Sequence, residues 1–136
     1  MSLKIGNIGI SKGYLGSTEI TKAYLGSVVV LEGGDTDSFI TTWRTTTTNE
    51  SITIPATGTY DISTSDGQTF TNVSGSQTIT FPTAGDYDVT ISNGITRINF
   101  QSNSVSNQKI IDIKQWGTAQ WSSFNNAFFN CNDNMT

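Results

Sequence analysis

Short runs of alternating apolar and polar residues, cut at intervals by glycine-containing dipeptides, leave this chain few folds to adopt. Ser51-Ile52-Thr53-Ile54-Pro55 alternates residue by residue. Thr59-Tyr60-Asp61-Ile62-Ser63 puts Tyr60 and Ile62 on one face, and Gln77-Thr78-Ile79-Thr80-Phe81 does the same for Ile79 and Phe81. Asp86-Tyr87-Asp88-Val89-Thr90-Ile91 aligns Tyr87, Val89 and Ile91. Successive side chains of a strand point to opposite faces, so this period marks a sheet with one buried face. Phe39-Ile40-Thr41-Thr42-Trp43-Arg44-Thr45 alternates in part, Ile95 and Ile98 open a further strand, and Ile110, Ile111 and Ile113 mark a last one. Asp66-Gly67, Ser74-Gly75, Ala84-Gly85 and Asn93-Gly94 are turn signals between them. Strands of about five residues at roughly 8–12-residue spacing predict a β-sandwich. Its predicted core is Tyr60, Ile62, Ile79, Phe81, Tyr87, Val89 and Ile91, with Asp86 and Asp88 on the opposite, solvated face.

Composition supports an all-β chain and narrows its chemistry. The 136 residues suit one domain, or a small domain with appendages. A net charge of −4 is too small to keep the chain unfolded by self-repulsion. The polar residues are mostly Thr, which suits a half-exposed pleated surface, and Ser, Asn and Gly, which suit turns. There is no histidine, which removes the commonest general base and metal ligand and excludes Ser-His-Asp and Cys-His sites within the chain. Cys131 is the single cysteine, so neither an internal disulfide nor a zinc cluster can form. Asp35 and Asp37 supply only two carboxylates, without the spacing of a calcium loop. Asp86 and Asp88 share the solvated face, which suits a paired-carboxylate glycosidase poorly; a calcium or inter-subunit role for them stays open. The expectation is a non-enzymatic protein with no metal and no cofactor. A sequence pI near 4.4 and the lack of a basic patch argue against nucleic acid as a partner.

The opening segment repeats itself. Ile10-Ser11-Lys12-Gly13-Tyr14-Leu15-Gly16-Ser17 is matched ten residues later by Ile20-Thr21-Lys22-Ala23-Tyr24-Leu25-Gly26-Ser27. Each copy reads as a short strand, a Leu-Gly-Ser turn and another short strand, together a small β-meander. So few short strands bury too little apolar surface to stand alone. The segment is expected to lean on the next domain, another copy or a larger assembly, an ordinary N-terminal hairpin being the alternative. Its expected docking surface is Tyr14, Leu15, Tyr24, Leu25, Val28, Val29 and Val30. Ser27-Val28-Val29-Val30-Leu31 has strand length, not membrane-spanning length. Glu32 to Ser38 reads as a linker around Gly33-Gly34. The division is therefore 1–34 as docking segment, 35–115 as sandwich and 116–136 as tail.

In the tail, Trp121, Phe124, Phe128 and Cys131 fall at helical spacing, which predicts a short C-terminal helix. Ser122 or Ser123 would cap it, against the weak helix propensity of Asn125 and Asn126. Trp43, Trp116 and Trp121 are candidate ligand-facing aromatics as well as candidate core, since an exposed Trp can stack on a sugar ring. Three Asn-x-Ser/Thr triplets, at Asn49, Asn72 and Asn134, are read as coincidences of an Asn-, Ser- and Thr-rich chain.

Several stretches resemble known families. Tyr60-Asp61-Ile62-Ser63-Thr64-Ser65-Asp66-Gly67-Gln68, with Thr78 to Ile91, resembles the central strand, turn and later strand pair of PKD-like immunoglobulin-like domains. Thr64 stands where that family has Trp, Ser65 where it has Gly, and Ser63 where it has Asp, so a role tied to that Trp does not carry over. Phe39 to Arg44, Ile52 to Pro55, Ile113 to Gly117 and Trp121 to Cys131 look like BspA-like surface proteins, in which a PKD-like leader feeds a leucine-rich-repeat-like array. That likeness covers about residues 39–136 and implies surface display and adhesion, with 117–136 as a first, incomplete repeat. The doubled Lys-x-Tyr-Leu-Gly-Ser is similar to segments of phage tail and other virion proteins, which implies an attachment end.

The fold expected is thus all-β: an N-terminal β-meander, an immunoglobulin-like (PKD-like) sandwich and a short C-terminal helix. Met1 to Gly6 lacks the apolar run of an export signal, which with the free thiol favours a virion surface over a secreted origin. The expected function is a virion structural protein (tail, fibre or capsid-decorating component) displaying an adhesive module. Its partners would be other virion proteins, further copies of itself and host-surface glycan or protein, with no membrane insertion. A bacterial cell-surface adhesin module is the alternative.

Overall fold

The structure, a computed structural model, describes residues 35–102, 105–133 and 135. The expected docking residues Tyr14, Leu15, Tyr24, Leu25 and Val28 to Val30 lie outside the described residues, as does the predicted meander. Thr36–Thr136 is one compact unit.

Among its described residues are seven strands: β1 (Phe39–Thr45), β2 (Glu50–Ile54), β3 (Ala56–Thr64), β4 (Thr69–Ser74), β5 (Gln77–Phe81), β6 (Gly85–Ile98) and β7 (Ile110–Gln115). A five-stranded sheet has the order β4-β3-β6-β1-β7, and β2 pairs with β5 in a second sheet. Among the described residues every pairing between these strands is antiparallel. The all-β expectation therefore holds.

Alternation in sequence becomes burial in space. Phe39, Trp43, Tyr60, Ile62, Tyr87, Val89 and Ile91 from the larger sheet share one buried cluster with Ile52, Ile54, Ile79 and Phe81 from the smaller. All seven residues of the predicted core are among them. Phe81 and Tyr87 stack at 4.0 Å with planes 14° apart, joining the two sheets. The outward face of β2 and β5 is hydroxylic, with Ser51 against Thr80 at 2.7 Å and Thr53 against Thr78 at 2.8 Å. Such cross-strand pairs stabilise a sheet by a few tenths of a kcal/mol each, about 0.2–1.

The outer face of the larger sheet carries the charges. Arg44 lies opposite Asp86 in the β1–β6 register and bonds both of its carboxylate oxygens, at 2.7 and 2.8 Å. Asp88 accepts from Thr42 and Lys114, at 2.8 and 2.7 Å. Burial opposes ionisation of Asp88, but the hydrogen bonds from Lys114 and Thr42 outweigh it and hold its pKa below the ordinary value. Asp86 is also lowered, by its bond from Arg44. These two aspartates occupy the solvated face that the sequence assigns them.

Two expectations need correction. Asn93-Gly94 is not a turn but lies inside β6, which runs unbroken for 14 residues. Gly94 is there because the chains touch: a Cβ on it would sit 2.5 Å from the Thr59 carbonyl oxygen. A Cβ on Gly58, at φ 115°, would sit 2.1 Å from the Gly94 carbonyl oxygen. The tail also contains no helix among its described residues. Asn126 and Asn130 have φ of 60° and 53°, outside the helical range. The stretch is instead a run of three turns, closed by Ala127 N–H to Phe124 O, Phe129 N–H to Asn126 O and Cys131 N–H to Phe128 O.

Strand β4 had no clear signal in the sequence. Asn72 has φ 53° and the β3–β4 register slips between Tyr60 and Ile62, so Phe70 and Val73 stand three apart instead of two. The β3–β4 turn is organised by Thr64. Its hydroxyl donates to Asp66 and accepts from Gln68 N–H.

Candidate functional site

Trp43 is no ligand platform. It is fully buried, its Nε1–H donates to Thr41 Oγ1 at 2.8 Å, and its ring lies 5.8 Å from that of Phe100. Alternation in β1 puts 39, 41, 43 and 45 on the inner face, which removes Trp43 from solvent.

Trp116 and Trp121 belong to a surface that the chain builds after β7. Gln115 donates from its side chain to Ser38 O at 2.9 Å, and Thr118 N–H donates to Asp37 O at 3.0 Å. Between them Gly117, at φ 67°, passes so close to the start of β1 that a Cβ would lie 2.2 Å from Asp37 O. Only glycine fits here, and this crossing sets Trp116 against Phe39, ring centroids 5.5 Å apart and planes tilted 35°. Trp121 meets Phe39 edge-on at 5.0 Å.

The next stretch is tied to β6 and the segment beyond it. Ser122 donates from both its backbone N–H and its hydroxyl to Thr96 O, at 2.8 and 3.0 Å. Ser123 forms an isolated parallel bridge with Arg97, whose guanidinium donates to Asn125 O at 3.2 Å. Phe100 N–H donates to Asn126 O, and Asn126 Nδ2 to Gln101 Oε1 at 2.7 Å. Ala127 is buried in the core between these anchors. Beyond it, Asn107 Nδ2 donates to Phe129 O at 3.3 Å and Gln108 to Asn130 O.

So anchored, the tail rings converge. Trp116 is the hub: Trp121, Phe124 and Phe128 all lie edge-on to it, at 5.9, 5.6 and 6.1 Å. Trp121 and Phe124 are 5.3 Å apart. Phe128 reaches inward to Phe100, which touches Trp43, so the cluster is rooted in the core. Edge-to-face contacts fix ring orientation and add about 0.5–1.5 kcal/mol per pair beyond burial. The helical spacing of Trp121, Phe124 and Phe128 thus brought the rings together without a helix.

What the cluster leaves to solvent is its outer rim. Trp116 is 44% exposed and Phe124 52%, while Trp121 is half-buried; further along the tail, Phe129 is 46% exposed. The sequence marks Phe124 only as one of four residues on a predicted helical face and gives no signal for the exposure of Phe129. Cys131 packs against the core, and burial pushes its thiol up to about 11.

No family model, curated protein or solved structure matches the chain.

Elsewhere, no group of three or more His, Cys, Asp or Glu side chains that could hold a metal occurs among the described residues. No helix among them is long and apolar enough to cross a membrane. The most constrained ionic contact joins Glu50 and Lys109, 2.8 Å apart with both side chains mostly buried. The other Glu50 carboxylate oxygen accepts from Thr46 N–H at 2.6 Å and Thr47 N–H at 2.9 Å, and Lys109 also donates to Ser51 O at 2.8 Å. The hydrogen bond from Lys109, then those from Thr46 and Thr47, bring the Glu50 carboxyl down to about 2. This contact ties the β1–β2 turn to the segment before β7 and has the character of a structural clamp.

Proposed function

We propose that the chain is a non-enzymatic structural component of a virion, part of a tail, fibre or capsid decoration, that docks through residues 1–34 and displays residues 36–136 as an adhesive module. The observation that carries the adhesive half is the ring surface of Trp116 and Phe124, anchored in the core and open to solvent. Large exposed aromatics concentrated in one short segment mark a binding surface more often than ordinary surface composition. The docking half is supported by the doubled Lys-x-Tyr-Leu-Gly-Ser motif. Many copies on one particle would turn a weak contact into firm attachment by avidity. Kinship of residues 39–136 with a PKD-like leader and a BspA-like repeat is part of the same proposal.

A second reading is a bacterial cell-surface adhesin module. It is favoured by the same ring surface, which would serve display on a cell as well as on a particle. Host-surface protein or glycan is the partner in either case.

The test is incorporation into particles. Leu15→Asp or Leu25→Asp should abolish it while the near-ultraviolet circular dichroism of the 36–136 module stays unchanged. Normal incorporation of either variant would sink the docking proposal.

A further inference from the structure

We infer that the Trp116–Phe124 surface is a binding site for a neutral carbohydrate, with a sugar ring lying on the exposed aromatic faces and its hydroxyls meeting the surrounding amides. The inference rests on the display reading and names the chemistry of the displayed surface.

Charge is the first argument. From Gln115 to Asn132 the sequence contains no Asp, Glu, Lys or Arg, although the chain carries 18 such residues (7 basic and 11 acidic). A surface for a sialylated, sulfated or phosphorylated ligand would supply cations, and one for a basic peptide would supply carboxylates. Among the described residues the one guanidinium bonded to this stretch is that of Arg97, which donates to the Asn125 carbonyl and whose Nε is turned inward and buried.

The kind of apolar group is the second. Between Gln115 and Asn132 the apolar residues are Trp116, Ala119, Trp121, Phe124, Ala127, Phe128, Phe129 and Cys131. There is no Leu, Ile, Val or Met. Aromatic side chains also suit a protein partner, so the carbohydrate reading rests on pairing these rings with an uncharged surround. An aromatic face offers negative π density, which attracts the weakly positive C–H groups on the flat side of a pyranose.

Hydrogen-bonding capacity is the third. Gln120, Ser122, Asn125 and Asn130 are exposed in the same stretch, and Ser123 and Asn126 are half-buried. Amides carry both donors and acceptors, which matches the dual character of sugar hydroxyls. Gln120 Nε2, Ser122 Oγ and Asn126 Nδ2 already donate to Thr118 O, Thr96 O and Gln101 Oε1, so Asn125 and Asn130 are the amides this stretch offers outward. The site is also preorganised: Phe39 braces Trp116 from within, and three rings meet Trp116 edge-on. Binding therefore costs little ring ordering.

The experiment presents the purified full chain to a panel of neutral oligosaccharides and a matched panel of sialylated and sulfated ones, then titrates the best neutral binder by tryptophan fluorescence. The result expected is saturable binding to neutral members, insensitive to salt. Trp116→Ala and Phe124→Ala should each weaken it by about tenfold or more, near 1.4 kcal/mol, and Thr78→Ala on β5 should leave it unchanged. Trp116→Phe, which keeps an aromatic face on Phe39, guards against a folding defect and should retain partial binding. Overturning results would be binding confined to the charged panel, no binding to either panel, or concentration-dependent self-association lost in Phe124→Ala, which would make the surface an interface between copies. Particle incorporation reads the display proposal separately, so a chain that is incorporated but binds no neutral glycan defeats this inference alone.

Discussion

Phe39, the first residue of β1, lies beneath Trp116, the residue after β7, with ring centroids 5.5 Å apart. This contact closes the larger sheet at its β1–β7 edge and props up the exposed aromatic surface in one stroke. Phe39 is 1% exposed. Phe39→Ala should cost about 3–5 kcal/mol, as expected for a buried Phe. Phe39→Leu should cost clearly less. Chemical denaturation of both variants checks the order, and a shift in tryptophan emission should accompany the loss of the brace.

The β3–β6 pairing depends on the absence of two side chains. A Cβ on Gly58 would meet the Gly94 carbonyl at 2.1 Å and force a positive φ of 115° on a side-chain-bearing residue. Gly58→Ala should therefore destabilise by about 2–4 kcal/mol. Gly67, at φ 96° in the β3–β4 turn, has nothing within 4 Å of its would-be Cβ. Gly67→Ala should cost only the backbone penalty, about 1 kcal/mol. Equal losses in thermal melts would show that the close approach is not what selects glycine at 58.

The Glu50–Lys109 clamp should make stability depend on acid. The folded carboxyl sits at about 2, below its ordinary 4.5. A depressed folded value means that the carboxylate stabilises the fold above the unfolded pKa, and that this is lost as pH falls from about 4.5 toward 2. Asp86 and Asp88 are shifted the same way and act in the same direction. Glu50→Gln should lower Tm at neutral pH and flatten, without abolishing, its fall between pH 5 and pH 2. A Tm profile parallel to that of the unaltered chain would count against the clamp.

The three tryptophans should be distinguishable by a neutral quencher. Trp43 is fully buried, Trp121 half-buried and Trp116 44% exposed. Trp116→Phe should remove most of the quenchable emission, and the remaining signal should be dominated by protected indoles. Easy quenching of all the emission left in that variant, with no protected fraction, would contradict the placement of Trp43.

Much of the fold is legible because it follows from a period of two. Tyr60, Ile62, Ile79, Phe81, Tyr87, Val89 and Ile91 announce their burial by alternation, and so does the solvated pair Asp86 and Asp88. The failures come where backbone geometry breaks the period. Asn72 takes a positive φ and hides β4. Asn93-Gly94 reads locally as a turn, but the need for close contact with Gly58 and Thr59 is a property of the neighbouring strand. The tail rings are visible as a 3–4-residue spacing, yet that spacing fits consecutive turns as well as a helix. The left-handed Asn126 and Asn130 decide for turns. Trp43 is placed by its position in β1, and Trp116 becomes a surface residue only because Gly117 folds the chain across Asp37 and Ser38.

On the proposed function, residues 1–34 would assemble, and the following unit would fold by itself and display. Light scattering and thermal melts on the full chain, beside a shortened chain starting at Asp35, test that division most directly. The account predicts an oligomer for the full chain and a monomer for the shortened one, with the same cooperative melt in both. A shortened chain that no longer melts cooperatively would contradict it, and monomers in both cases would remove self-assembly through residues 1–34, leaving only docking onto a different protein.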